Sequence, residues 1–328
     1  YQGLAGSIYV RDDESERLDL PNDYGVDDIP LIVQDRAFNR DGSFAYSTSM
    51  RDVMMGMMGD TLLVNGIVDP VFEARSDLLR IRLLNGSNAR FYRFGFDDGR
   101  PFMQIGSDGG LFELPYRTNN VVLAPGEMGG GMGNRGGRRE GMMGGDMGRR
   151  GGRREGMMDE RRRFTVLNIR PAAQRRQAIV MPSRLIALAP VEPETAIKTR
   201  RFVLQMGMGM NMMRGGGFTI NGKSMDMQRI DETVKVNTTE IWQIENASMM
   251  AHPFHIHDVQ FRVLDRDGRQ PGPQDRGLKD TVVVAPREVV RVLLRFEEYT
   301  DSELPYMYHC HILEHEDAGM MGQFLVKA

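Results

Sequence analysis

The string YHCHILEHEDAGMM, residues 308–321, sets three histidines and the chain's single cysteine within seven positions. The other three histidines, His252, His255 and His257, fall in HPFHIH, so all six lie in two short strings. One cysteine cannot close an internal disulfide. A thiol among imidazoles then leaves two chemistries, a Cys-His nucleophile or a metal site. A nucleophile needs one thiol, one base and an orienting group, which leaves four of the six histidines without a task. A metal site uses every one of them.

Strand geometry sorts these ligands into two sets. Neighbouring side chains on a strand point to opposite faces, so Cys310 faces one way and His309 and His311 face the other. By the same rule His255 and His257 share a face of their strand. On the thiolate side, Cys310, His315 and Met320 follow at C-x4-H-x4-M spacing, which a loop can wrap around one ion. His252 completes that set. Two histidines, a cysteine and a weak axial methionine are the ligands of a blue-copper electron-transfer centre. The other side offers four imidazoles with no thiolate and no carboxylate spacing for a structural zinc. It suits a multinuclear copper site that binds oxygen. The thiol would collect an electron, and the flanking histidines would deliver it along two covalent paths.

The elements that must position these ligands read as strands almost throughout. LLRIRLL (78–84), FYRFGF (91–96), VVLA (121–124), FTVLNI (164–169), EIWQIE (240–245), TVVVA (281–285) and EVVRVLLRF (288–296) are short and rich in β-branched or aromatic residues. Turn residues punctuate them, as in NGSN, DDGRP and DRDGRQPGP. No long 3.6-residue period competes, so the pattern predicts an all-β protein of sandwich domains. The proline-containing segment 187–199 reads as a linker between domains at 20–186 and 200–328.

With 328 residues the chain has room for two such domains. A net charge of −3 gives no global attraction to nucleic acid or a membrane surface. No apolar run reaches the roughly 18–20 residues that span a bilayer. The compositional outlier is methionine, at 26 residues. Runs interleaved with glycine, such as MGMGMNMM at 206–213, are not core packing, and a thioether is a soft ligand suited to Cu(I). Between 126 and 163 a twelve-residue unit, MGNRGGRREGMM, recurs as MGRRGGRREGMM, dominated by Gly and Arg. It reads as a disordered low-complexity insertion. Three roles stand for it: an inert solvated insertion, a copper-collecting methionine tract, or an RGG-type nucleic-acid binder.

HPFHIH together with HCHILEHEDAGMM resembles the C-terminal domain of three-domain multicopper oxidases. GLAG (3–6), GDTLLVNG (59–66), LRIRLLNGSNARFYRF (79–94), SDGG (107–110) and LAPGE (123–127) extend the likeness through most of the chain, most closely to bacterial copper efflux oxidases and laccase-like relatives. The resemblance implies two cupredoxin-like Greek-key sandwiches, domains 2 and 3 of such an enzyme, with residues 1–19 the tail of a preceding one. It assigns His252, Cys310, His315 and Met320 to a type 1 copper, His255 to type 2, and His257, His309 and His311 to a binuclear type 3 pair, four coppers in the complete enzyme. Glu316 matches an acid proposed to relay protons to reduced oxygen; a solvated loop carboxylate is the plain alternative.

The activity implied is one-electron oxidation of a reductant coupled to four-electron reduction of O2 to water. Cu(I) is the favoured reductant and a phenolic compound the second. Candidate Cu(I) ligands are Met206, Met208, Met210, Met212, Met213, Met249 and Met250. Asn211 and Ser248, however, stand where copper efflux oxidases carry acids. A blue-copper electron-transfer or copper-binding module without oxidase activity is the rival class. A two-domain nitrite reductase needs only a mononuclear second site, and so leaves histidines of HCH and HIH unused. The family's trinuclear cluster takes eight imidazoles, and this chain offers four. The other four are expected from an N-terminal domain missing here, without which the chain is expected to be inactive. The family also implies a periplasmic or secreted location.

Overall fold

The computed structural model describes residues 1–3, 6–134, 140–146, 163–176, 180–207 and 217–328. The chain divides into two compact units. Unit 1 comprises Tyr1–Thr48, Met57–Ser107 and Leu111–Ala187; unit 2 comprises Leu188–Ala328 together with two short segments, Ser49–Gly56 and Asp108–Gly110. The boundary at Ala187 falls where the proline-containing segment begins. The two excursions into unit 2 are not announced by composition.

In unit 1 the strands are β1 (Asp28–Arg36), β2 (Thr61–Val64), β3 (Val71–Ser76), β4 (Leu78–Asn85), β5 (Tyr92–Phe96), β6 (Phe102–Ser107), β7 (Gly110–Thr118), β8 (Val121–Leu123), β9 (Met128–Asn134), β10 (Glu140–Asp146) and β11 (Arg163–Arg176). They form one sheet in the order β2-β1-β4-β9-β6-β7 and another in the order β3-β11-β10-β5-β8. Leu31 and Leu83 from the first sheet and Phe94 and Val166 from the second share one buried core. Unit 1 is therefore a β-sandwich.

The disorder expected for 126–163 does not extend to 128–134 or 140–146. MGGGMGN forms β9, which pairs antiparallel with β4 on one side and β6 on the other. A glycine run gives little of its own to a core, yet a central strand is held by ladder hydrogen bonds on both edges. Its neighbours supply the packing: a Cβ on Gly131 would lie 3.1 Å from the Phe102 ring, and one on Gly129 3.2 Å from Leu123. The rest of the repeat, 135–139 and 147–162, lies outside the described residues.

Unit 2 contains β12 (Ala196–Met206), β13 (Phe218–Ile220), β14 (Glu232–Lys235), β15 (Thr238–Asn246), β16 (His252–Ile256), β17 (Phe261–Arg266), β18 (Thr281–Val284), β19 (Val289–Phe296), β20 (Tyr306–Cys310) and β21 (Met321–Lys327). Its sheets run β13-β12-β15-β19-β17 and β14-β21-β20-β16-β18. β12 starts inside the expected linker, because Ala196 and Lys198 already pair with Thr239 and Glu240 of β15. The core is aromatic. Trp242 of β15, fully buried, lies 4.4 Å from the Phe202 ring and 5.6 Å from Phe324 in the facing sheet. Among the described residues, short α-helices are α1 (Asp13–Glu16), α2 (Met50–Met55) and α3 (Leu313–Asp317), and α2 packs against α3 within unit 2.

Candidate metal centre

The two histidine strings occupy adjacent strands. β16 and β20 pair antiparallel, with Phe254 opposite Cys310 and His255 opposite His309. Alternation along β20 sends Cys310 into the sandwich interior and His309 to the other side. Chain adjacency makes the two sides covalent neighbours.

On the inner side, His252, Cys310 and His315 converge, their ligand atoms all within 4.8 Å of one another. The Cys310 Sγ lies 3.4 Å from Nδ1 of His252 and 3.5 Å from Nδ1 of His315. Each ring is held from behind at its other nitrogen. Ser248 Oγ is 2.8 Å from Nε2 of His252, and the Met54 carbonyl of α2 is 3.1 Å from Nε2 of His315. A carbonyl can only accept, so His315 donates from Nε2 and presents the Nδ1 lone pair to the thiol. Fixing the tautomer through the outer nitrogen is how a protein aims a ligating histidine. Phe218 stacks on His315 with ring centroids 4.6 Å apart. Met320 is fully buried too; the Cys310 N–H donates to its carbonyl at 3.0 Å, and its own N–H donates to the His315 carbonyl at 2.9 Å. Gly319, at φ +96°, makes the turn that returns the chain here, a conformation L side chains rarely adopt.

Burial governs the protons of this pocket. It pushes the Cys310 thiol well above its ordinary range, against the lowering pull of the Ile312 backbone N–H. It lowers His315 to about 4 and, with help from His315, drives His252 well below the usual imidazole value. The imidazoles are thus neutral and ready to ligate, while the thiol must surrender its proton to a metal.

The outer side gathers all four remaining histidines, with ring centroids 5.0–5.5 Å apart. His255, His257 and His309 bring their ligand atoms within 4.8 Å of one another. Nε2 of His257 and Nε2 of His309 face each other at 3.2 Å. His309 Nδ1 lies 3.1 Å from the Cys310 carbonyl and 3.2 Å from the Glu316 carboxylate. Burial raises the Glu316 pKa, but its hydrogen bond to His309 and the surrounding rings outweigh this and set it below the ordinary value. Burial, then the neighbouring rings, lowers His257 and His311 to about 4. His311 Nδ1 is buried with no hydrogen-bond partner among the described residues. A buried ring nitrogen left unbonded is costly, and a cation among these neutral nitrogens removes the cost. The donor sets fit copper on both sides: sulfur with imidazole on one, imidazole alone on the other.

Of the methionines read as Cu(I) ligands, Met206 ends β12 half-buried, and Met208, Met210, Met212 and Met213 lie outside the described residues. Met250 is half-buried. Met249 is 64% exposed, and its sulfur lies 3.6 Å from an Arg287 guanidinium nitrogen, a position that disfavours a cation electrostatically. Ser248 has a role the composition of the methionine clusters hid: it is buried and bonded to His252. Four residues before a ligand on a turning segment, it carries no motif of its own. The α2 carbonyl of Met54 is likewise invisible in sequence.

Known proteins resemble this chain throughout. A multicopper oxidase family model matches residues 198–328. The multicopper oxidase mco of Staphylococcus aureus is 36% identical over 330 residues, covering 99% of this chain, which spans 64% of that relative. The cell division protein FtsP of Photorhabdus laumondii is 37% identical, covering 99% of this chain and 66% of its own length. Among solved structures, a laccase-like multicopper oxidase, CueO, from Ochrobactrum sp., described as oxidising lignin model compounds and lignosulfonate, superposes with a TM-score of 0.85 at 32% identity. That match covers 97% of this chain and 70% of that one.

Proposed function

From a chain that belongs to the multicopper oxidase family, we propose an oxidase that takes single electrons from a small reductant at the thiol pocket and passes them to O2 at the imidazole pocket. Copper, when bound, supplies the one-electron redox steps and the binding of oxygen. The observation that carries the reading is the back-to-back placement on β20, where Cys310 is joined by peptide bonds to histidines of the opposite pocket. His252, Cys310, His315 and Met320 would hold the type 1 copper, His255 the type 2, and His257, His309 and His311 the type 3 pair.

The chain's own residues supply the rest. Complete burial excludes water from the thiol pocket, so the donor set changes little as charge comes and goes. Ser248 and the Met54 carbonyl hold the two rings there. Glu316, which accepts the Nδ1–H of His309 at 3.2 Å, would relay protons toward reduced oxygen. Four imidazoles fall short of the eight that the family's trinuclear cluster takes, so the remaining four would come from a further domain. The exposed Met249 thioether, close in sequence to His252, supports Cu(I) as reductant. The Arg287 charge beside it supports a second reading, a phenolic reductant. A periplasmic or secreted location accompanies either. Among the described residues no helix is long and apolar enough to cross a membrane.

Copper-loaded protein should absorb intensely toward the red end of the visible spectrum through the Cys310 thiolate, and Cys310→Ser should abolish the band. A colourless wild-type protein that nonetheless holds copper would overturn the assignment. Met249→Leu separates the reductants at the inner copper, read as bleaching of the red band: slower bleaching by Cu(I) with unchanged bleaching by a phenol supports Cu(I), and unchanged bleaching by Cu(I) supports the phenol.

A further inference from the structure

His255, like His309, is anchored at Nδ1 by two acceptors, but both of its acceptors come from the chain beside its own strand. Its Nδ1 lies 3.0 Å from the Asp280 carbonyl and 2.9 Å from the Thr281 hydroxyl. The Thr281 hydroxyl spends its own proton on the Asp280 carboxylate at 2.8 Å, so toward His255 it accepts. Two acceptors at Nδ1 fix the Nδ1–H tautomer and leave Nε2 as the free lone-pair donor of a ring whose ligand nitrogen lies within 4.8 Å of those of His257 and His309. Those acceptors sit on the segment that leads into β18, where the register sets Thr281 opposite His255.

That segment is clamped from behind. Asp108, with its side chain only 2% exposed, accepts from the Asp280 N–H at 2.9 Å, from the Thr281 N–H at 3.2 Å and from Lys279 Nζ at 2.8 Å. The next residue, Gly109, donates its N–H to the Leu278 carbonyl at 3.0 Å. A Cβ at Gly109 would lie 2.4 Å from that carbonyl oxygen, so only glycine allows this approach. One carboxylate thus closes two strand-end N–H groups and a buried cation, directly behind both His255 acceptors. Hydrogen bonds to charged acceptors are the stronger kind.

We propose that Asp108 is a positioning residue for the outer pocket: through the 279–281 segment it locks His255 in the Nδ1–H tautomer and aims Nε2 at the metal. The consequence for type 2 copper rests on the function proposed above; the tautomer lock does not. A merely structural clamp would cost stability and disturb all six rings. A positioning clamp moves one ring.

The readout is the ring nitrogen-15 shifts of histidine-labelled, copper-free 328-residue protein, at a pH where the imidazoles are neutral. In wild type His255 should read as Nδ1–H, and His315 as Nε2–H. Asp108→Ala should cut the Nδ1–H preference of His255 roughly tenfold, about the worth of one good hydrogen bond, with His252 and His315 unmoved. Asp108→Asn, which retains an acceptor oxygen, should recover most of it. Thr281→Val removes one acceptor directly and should shift the same signals the same way, which keeps the test decisive where Asp108→Ala fails to fold. An unchanged His255 signal in either Asp108→Ala or Thr281→Val, or equal shifts across all six histidines, overturns the clamp. Copper titration of the same samples keeps the two claims apart: wild-type protein that takes no copper while the His255 shift persists sinks the copper reading and upholds the clamp.

Discussion

The two pockets of unit 2 share a strand and differ in closure. On the inner side His252, Cys310, His315 and Met320 are all fully buried, and both ring nitrogens facing away from the thiol are bonded. On the outer side His309 is buried but His255, His257 and His311 are partly exposed, and one buried nitrogen has no hydrogen-bond partner among the described residues. Closure is what an electron-transfer site needs, since a rigid, dry ligand set resists reorganisation. Openness is what an oxygen site needs, because substrate and further ligands must enter. One strand builds both because alternate residues belong to different environments.

The largest expected effect tests whether the outer pocket is open because it is unfinished. The 328-residue chain should take close to one copper tightly, at the inner pocket, and should show no sustained oxygen uptake until a domain supplying four more imidazoles is joined to it. Metal analysis after dialysis, paired with an oxygen electrode, decides this. Four coppers per chain with steady turnover would break the contrast.

Stability against pH separates the thiol from the imidazoles next. His257, His311 and His315, at about 4, stay neutral in the folded copper-free chain where unfolded histidines, near 6.5, take up protons. The unfolded state therefore binds more protons between those values, and stability is full above about 6.5 and falls as pH drops toward 4. The raised Cys310 acts at the other end: its contribution is present below the ordinary thiol value of about 8.5 and is lost as pH rises beyond it. Urea midpoints should fall in wild type as pH drops from about 6.5 toward 4 and as it rises from about 8.5 toward 10, below the range where the raised Tyr308 acts, and Cys310→Ser should lose only the second fall. An alkaline limb that survives the substitution would mean the thiol is not its source.

Met320→Leu should keep the colour and raise the reduction potential of the inner copper, since a weak axial donor favours Cu(II); spectroelectrochemistry reads both. The smallest effect belongs to Ser248→Ala. It leaves Nε2 of His252 without its partner in a dry pocket, at about 1–3 kcal/mol, seen as a lower urea midpoint in unit 2 with the outer-pocket ring signals unchanged. A drop below about 0.5 kcal/mol would show that the ring finds another partner.

The back-to-back site was legible because it rests on local chemistry. A period of two along HCH and HIH assigns faces with no knowledge of the fold, and the punctuated β-branched runs announced most of the strands. Composition misled at 128–134, where glycine content says nothing about the strands on either side that hold β9 and fill the space around it. It also hid Ser248, which reads as a missing acid and is instead a hydrogen-bond partner. Asp108 and the α2 carbonyl were out of reach for another reason: what they do depends on partners 171 to 261 residues away in the chain.

That distance has a kinetic meaning. The His315–Met54 bond closes a loop of 261 residues, and long loops pay their entropy before their contacts reward them. In refolding, β16 and β20 can pair and gather the histidines early, while the Met54 carbonyl that aims His315 is expected only after most of the chain is in place. Competence to hold metal in a single, well-aimed geometry is therefore acquired late, as a seal on a sandwich already folded. Residues 188–328 alone would carry every one of the eight side chains read as copper ligands and still lack the groups that point two of them.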